Sequence, residues 1–260
     1  MNVFSQEGLE FRIESLRDFE DERFVEELLE IFCDTPLFLR PKRYGIEEPL
    51  REVVDPDQKA KMKNAFLASH TPLASPANKE GLLMLKCSSV GYMLQWVKRS
   101  PPIFQRLSGH ASRKMLEKDE GRLEAFLQLF YRIAEHVCAV FGSVNSMMTK
   151  GGEIPYDLTV RLPNVPWLTL FGKPYIEFFG RDRILSAPFG NIEELPSGLI
   201  AAKLTSAPFD ALTEAQRAPI REYLGSDCFM EGTRSLKLYS GGSSPDFDFT
   251  AVLPAARRQH

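Results

Sequence analysis

A chain of 260 residues with 43 % hydrophobic and 26 % charged side chains has the balance of an ordinary globular protein, which excludes collagen-like, coiled-coil and disordered chains. It is long enough to bury a core without staples. Its 32 basic and 35 acidic residues give a net charge of −3, opposite in sign to a general nucleic-acid binder.

Cys33, Cys87, Cys138 and Cys228 stand more than forty residues apart, so neither a metal knuckle nor a dense disulfide framework is expected, and the thiols are read as reduced. Apolar runs such as Leu82 to Leu85 and Val137 to Phe141 stop at four or five residues, far short of the roughly 18 that span a bilayer. Glu7, Glu10, Glu14 and Asp18 interrupt the first twenty residues, so no secretory signal is expected and the chain is assigned to the cytoplasm. The charge is uneven: residues 1–60 hold 16 acidic and 8 basic side chains, the remainder 19 and 24. Such asymmetry bears on the steering of partners, not on fold.

In chain order, Leu9 to Leu16 alternates apolar and polar side chains and predicts a half-buried strand. Asp18 then stands before Phe24, Val25, Leu28, Leu29 and Phe32, whose spacing predicts an amphipathic helix over Phe19 to Cys33. Glu22, Glu26 and Glu30 recur on its other face at four-residue steps, where like charges cost a helix a few tenths of a kcal/mol each. A basic partner surface would offset that cost; so would Arg or Lys from elsewhere in the same fold. Six prolines across residues 35–78 predict an irregular stretch apart from a helix near Asp57 to Leu67, with Phe38, Tyr44, Phe66 and Leu73 available to bury. Leu82 to Lys86 and Tyr92 to Lys98 read as a hairpin, and Ile103 to Leu107, after Pro101 and Pro102, as a third strand. Leu123, Phe126, Leu127, Phe130, Ile133, Ala134, Val137, Cys138 and Phe141 trace one face of a core helix from Asp119 to Phe141, ended by Gly142.

Between Pro155 and Pro208, seven prolines and many aromatics predict short strands and a short helix, and Gly198 to Leu204 reads as a buried strand. Thr213 and Gln216 make a capping box for a last helix ending near Leu224, which Pro219 should kink or shorten. Ser240 to His260 is expected to be a partly ordered tail. The pattern as a whole predicts a single α+β domain over residues 1–260, with a mixed or mostly antiparallel sheet packed by the long central helix and the acidic amino-terminal helix.

Few residues carry recognisable chemistry. His70, His110, His136 and His260 share no ligand spacing with each other or with a cysteine, so no metal site or cofactor is expected, and His136 reads as a packed or surface side chain. GxSxG, GxxxxGK[ST], HExxH and GxGxxG are all missing. Cys87 or Cys228 paired in space with a distant histidine would be a nucleophile, though Cys87 and Cys138 lie in apolar runs where inert buried thiols are the ordinary reading. Asp246-Phe247-Asp248 could hold a cation or accept a proton, but such a segment in a polar tail is ordinarily solvated; Lys42-Arg43 and Arg181-Asp182-Arg183 are too short and too mixed in sign for a nucleic-acid stripe.

The string Val165-Pro-Trp-Leu-Thr-Leu-Phe-Gly172-Lys-Pro-Tyr-Ile-Glu-Phe-Phe-Gly180, followed by Ile184-Leu-Ser-Ala-Pro188, resembles the central motif of the Immunity protein 52 family of bacterial toxin-immunity proteins, with a neighbouring type VI secretion immunity family as its competitor. Tyr44-Gly45 with Glu48-Pro49, Gly81 to Leu85 leading to Gly91-Tyr92, and Tyr223 to Gly225 are similar to that family's layout. Within the motif, Gly172 and Gly180 bracket a helical turn begun by Pro174, and Trp167, Tyr175, Phe178 and Phe179 read as core. The resemblance implies a non-catalytic protein that neutralises a cognate antibacterial toxin by stoichiometric binding. The family's association is with restriction-endonuclease-like nucleases that act in the cytoplasm, with no direct nucleic-acid or membrane contact by the immunity protein. An acidic amino-terminal face would suit such a partner, and Glu22, Glu26, Glu30 and Asp34 are the candidate partner-binding residues. The alternatives are a hydrolase-type enzyme that reverses a toxin's modification, its pocket drawn from Pro155 to Pro208, and a secretion adaptor or scaffold.

Overall fold

A computed structural model describes residues 7–55, 58–69, 71–72, 79–98, 104–147, 157–230 and 247–252. The chain divides into two compact units, Met1–Ala139 with Leu253–His260, and Val140–Val252. The α+β class holds, with antiparallel pairing within each unit's sheet.

In the first unit, strand β1 (Gly8–Ser15) turns Leu9, Phe11 and Ile13 inward, as its alternation predicts. Helix α1 (Glu22–Cys33) follows, capped by Asp21, whose carboxylate accepts from the Phe24 N–H at 3.0 Å. The start falls later than expected because Asp18 instead accepts from the Glu20 N–H and turns the chain before the helix. The proline-rich stretch is more regular than predicted. It contains two short strands, β2 (Arg43–Gly45) and β3 (Glu52–Val53), then α2 (Lys59–Ala68) and β4 (Thr71–Pro72); Leu73 lies outside the described residues. Strands β5 (Lys79–Lys86), β6 (Val90–Lys98) and β7 (Gln105–Ser112) form a meander, with the third strand two residues later and longer than predicted. A single turn, α3 (Arg113–Leu116), leads to α4 (Glu120–His136). The sheet order is β1-β7-β6-β5-β2-β3, with β4 also beside β5.

Phe11 is the hub of this core. Its ring centroid lies 5.4 Å from Phe126 and 5.6 Å from Phe130 on α4, and 6.3 Å from Tyr92 on β6. Gly109 of β7 stands in register between Phe11 and Tyr92. A Cβ there would come within 2.4 Å of the Phe11 ring, so only glycine lets the two rings close over the strand. Tyr92 also packs 4.9 Å from Phe32 of α1 and donates its hydroxyl to the Leu39 carbonyl at 2.9 Å. The long helix and the acidic helix thus both pack on the sheet, as expected.

The long helix ends at His136 rather than Phe141. Cys138 adopts φ +49, which breaks the helical hydrogen bonding and returns the chain as a strand; the apolar run Val137 to Phe141 therefore serves two elements. Cys138 is exposed, which corrects its expected place inside with that run.

The second unit builds its sheet from β8 (Phe141–Ser146), β9 (Leu168–Phe171), β11 (Ile200–Lys203) and β10 (Asn191–Glu194), in that spatial order. Helices α5 (Lys173–Phe179) and α6 (Arg181–Leu185) meet at Gly180, whose φ of +86 allows the sharp break between them. Tyr175 of α5 packs edge-on to Phe141, and Phe179 edge-on to Phe171. Trp167 donates to the Thr205 carbonyl at 2.9 Å and Tyr175 to the Leu158 carbonyl at 2.9 Å. The capping box of α7 (Glu214–Leu224) is present, and the helix runs through Pro219 to Leu224. Of the carboxyl-terminal stretch, 247–252 are described, with Phe247 buried; the rest of Ser240 to His260 lies outside the described residues. No described helix is long and apolar enough to cross a membrane.

A left-handed conformation costs a non-glycine residue about 1–2 kcal/mol. Replacing Cys138 with Gly should raise stability in urea denaturation by up to about 1 kcal/mol once the unfolded-state entropy of glycine is deducted. Cys138→Val should lower it by about 1–2 kcal/mol; the reverse order would show that no strain is held there.

Candidate partner-binding surface

Burial of Phe24, Val25, Leu28, Leu29 and Phe32 fixes which side of α1 faces outward, and Glu22, Glu26 and Glu30 line that side. They are not left to solvent alone. The Lys63 ammonium of α2 lies 3.0 Å from Glu26 and 3.5 Å from Glu22, and Lys59 lies 3.1 Å from Glu30. Asp34, just past the helix, receives Arg132 of α4, which bonds its carboxylate at 3.1 Å and its carbonyl at 3.0 Å. The hydrogen bond to Glu26 outweighs the desolvation that opposes it and, with the Glu26 charge and the contact to Glu22, holds the Lys63 ammonium above the usual lysine range. The four candidate residues are thus brought onto one ridge, each with a cation of the chain's own. The like-charge cost along α1 is offset within the fold. These are surface pairs, worth about 0–1 kcal/mol each, so an outside cation can replace the internal one. The signal was present in the sequence: Lys59 and Lys63 repeat at the same four-residue step as Glu26 and Glu30.

The residues considered for catalysis lie in a different setting. Burial pushes the thiols of Cys33, Cys87 and Cys228 above the ordinary cysteine value, whereas a cysteine nucleophile needs that value lowered. Cys87 donates to the Phe38 carbonyl at 3.3 Å. His136 stacks on Phe24 with centroids 4.7 Å apart, its Nε2 3.1 Å from the Phe24 carbonyl, which makes it a packing contact between α4 and α1. His110 is buried on β7; His70 and His260 lie outside the described residues. The described residues contain no group of three His, Cys, Asp or Glu placed to hold a metal ion. Asp246 lies outside the described residues, while the Asp248 carboxyl is held below its usual range by the Thr250 hydroxyl first and then by the Thr250 N–H, which donates to it at 2.8 Å. A cleft of about 340 Å³ between the β2–β3 hairpin and α2 has Tyr44 and Met62 in its wall and Arg51, Glu52 and Lys61 around them.

In the second unit the cations serve the fold. Arg221 is buried and paired with Glu214 and with Asn164, which holds the Glu214 carboxyl below the usual range. Arg217 donates to the Val165 carbonyl at 3.0 Å and Arg161 to the Asp227 carbonyl at 2.7 Å. Within Arg181-Asp182-Arg183, Arg181 pairs with Glu194 and Arg183 donates to the Tyr223 carbonyl. The structure corrects one aromatic of the central motif: Trp167, Tyr175 and Phe179 are buried, but Phe178 is 40 % exposed.

No protein-family model and no curated protein matches the sequence. Among solved structures the fold is similar to that of the "Pseudomonas aeruginosa T6SS protein PA0821", with a TM-score of 0.60 at 14 % sequence identity; the match covers 97 % of this chain and 80 % of that one.

If Lys59 and Lys63 neutralise the ridge, Lys59→Gln with Lys63→Gln should lower stability at low ionic strength, and the loss should shrink as salt rises to about 1 M, where screening lengths fall to about 3 Å. Urea titrations across salt concentrations measure this; a loss that persists unchanged at high salt would assign the lysines to packing.

Proposed function

We propose that this chain is an immunity protein of the type VI secretion kind: it binds one cognate antibacterial toxin and blocks it stoichiometrically, without catalysis and without a cofactor. One observation carries this reading, the likeness to a type VI secretion protein along 97 % of the chain. Val165 to Gly180, the string that resembles the Immunity protein 52 family, supplies packing to the core of the second unit through Trp167, Tyr175 and Phe179.

The partner proposed is a nuclease that acts in the cytoplasm, and the chemistry that would recognise it is a basic surface. The amino-terminal excess of carboxylates supplies a field that steers such a surface inward. Glu22, Glu26, Glu30 and Asp34 meet the partner's cations by exchanging Lys63, Lys59 and Arg132 for them. That role belongs to encounter more than to affinity, because each carboxylate starts from a pair already made.

The test uses the product of the reading frame adjacent to this chain's own, produced from an inducible promoter in a sensitive host. Co-production of this chain should restore viability and yield a one-to-one complex on size exclusion. Undiminished killing with this chain in excess would overturn the reading. Charge reversal at Glu22, Glu26 and Glu30 should slow association about tenfold or more at low salt, within the range of electrostatic steering, and leave the dissociation rate nearly unchanged; unaltered association would remove the ridge from the account.

A further inference from the structure

The cleft between the β2–β3 hairpin and α2, about 340 Å³, is of a size that holds a small ligand, and its wall contains a buried polar group that the fold leaves unused. Tyr44 is 5 % exposed. On β2 it stands across from Glu52 of β3 on one side and from Leu85 of β5 on the other, so the three side chains share the inner face of the sheet. The Tyr44 hydroxyl has no hydrogen-bond partner among the described residues. Tyr92 and Tyr175, by contrast, donate theirs to the Leu39 and Leu158 carbonyls at 2.9 Å. A buried hydroxyl ordinarily finds an acceptor, and the open space that the Tyr44 ring lines is this cleft.

Two cations at the cleft are in the same condition. On α2, Lys59 and Lys63 turn to α1 and pair with Glu30 and Glu26. Lys61, two residues from each, is set about 200° round the helix from both; it lines the cleft, exposed and without an ion pair among the described residues. Arg51 gives its carbonyl to the Arg43 guanidinium at 3.2 Å, but its own guanidinium meets no acceptor among the described residues. The carboxylates of the cleft do not answer these donors. Asp55 accepts from the Gln58 amide at 2.6 Å. Glu52 stands beside Tyr44, where burial first and then the Glu52 charge hold the phenol in its protonated, donating form. Tyr44, Arg51 and Lys61 thus bring three kinds of donor to one cleft, beside the apolar side chains of Met62 and Val53.

We propose that this cleft binds a monocarboxylate on a short apolar stem, the carboxylate accepting from Tyr44, Arg51 and Lys61 and the stem lying on Met62 and Val53. Hydrogen bonds from a guanidinium or an ammonium to a carboxylate are roughly twice as strong as neutral ones. Glu52 and Asp55 balance the two cations, so selection comes from the directed donors and not from net charge. A dianion gains no further attraction to offset its larger desolvation. The site is independent of the immunity reading: it lies on the side of α2 away from Glu26 and Glu30, and its occupancy needs no toxin.

The test titrates the full chain at low salt and about pH 8 with hexanoate, following binding by ligand-observed NMR, with hexanol and hexyl phosphate as the neutral and doubly charged analogues. Hexanoate should bind with a dissociation constant on the order of 1 mM or below, and both analogues more weakly. Tyr44→Phe should weaken hexanoate binding about tenfold, the scale of one hydrogen bond to a charged group. Its thermal midpoint should not fall, because the hydroxyl removed has no partner in the fold. Arg51→Gln with Lys61→Gln should weaken binding by about tenfold, the scale of two surface charge contacts, and the difference should shrink as salt rises. No hexanoate binding at about 10 mM, tighter binding of either analogue, or wild-type affinity in both variants would overturn the site. A lower midpoint in Tyr44→Phe with hexanoate binding unchanged would place the hydroxyl in the fold and equally overturn it. None of these results bears on inhibition of a toxin, so the immunity reading stands or falls separately.

Discussion

Lys63 lies between Glu22 and Glu26, and that contact determines how much of the amino-terminal charge is left for anything outside the molecule. A helix carrying carboxylates every four residues looks from its sequence like a surface waiting for a basic partner. Two lysines of α2 and one arginine of α4 already occupy it. What the ridge retains is a long-range field, which influences how a charged partner arrives. Contacts that hold a complex together need groups whose desolvation is not already committed elsewhere.

The same economy explains the placement of arginine. Arg161, Arg183, Arg217 and Arg221 donate to backbone carbonyls, to Asn164 or to Glu214 within the second unit. Arg183 and Arg161 thereby satisfy carbonyls at the end of α7 and in the turn that follows it, Tyr223 and Asp227. Their positive charge is spent on the fold, and Asp182 in turn pairs with Arg181 at 3.5 Å. Phe178 packs edge-on against Phe247, and Arg183 lies over the Tyr223 ring.

Much of the fold was legible where one pattern served one element. The alternation in β1 and the spacing of Phe24 to Phe32 in α1 each point to a single buried face. The far end of α4 was not legible, because Val137 to Phe141 is apolar enough to continue a helix and open a strand at once, and no glycine marks the left-handed turn at Cys138. Strands β2 and β3 were hidden among prolines and are too short for an alternation to show; the sheet edge, not their own sequence, makes them strands. The candidate ridge was found from its charge period, but its pairing with Lys59 and Lys63 is a tertiary fact that only their matching spacing hinted at. In the sequence Phe178 reads as core with its aromatic neighbours, since composition cannot tell which ring of a cluster faces out.

The central claim is that this chain acts as a stoichiometric blocker and not as a catalyst. It is tested most directly by titrating the purified product of the adjacent reading frame with this chain while following that product's activity. The account requires inhibition to rise linearly and become complete at one equivalent, with the inhibited toxin recovered chemically unaltered. Complete inactivation by a small fraction of an equivalent, with a covalent change in the toxin, would contradict it, as would full activity in the presence of excess chain.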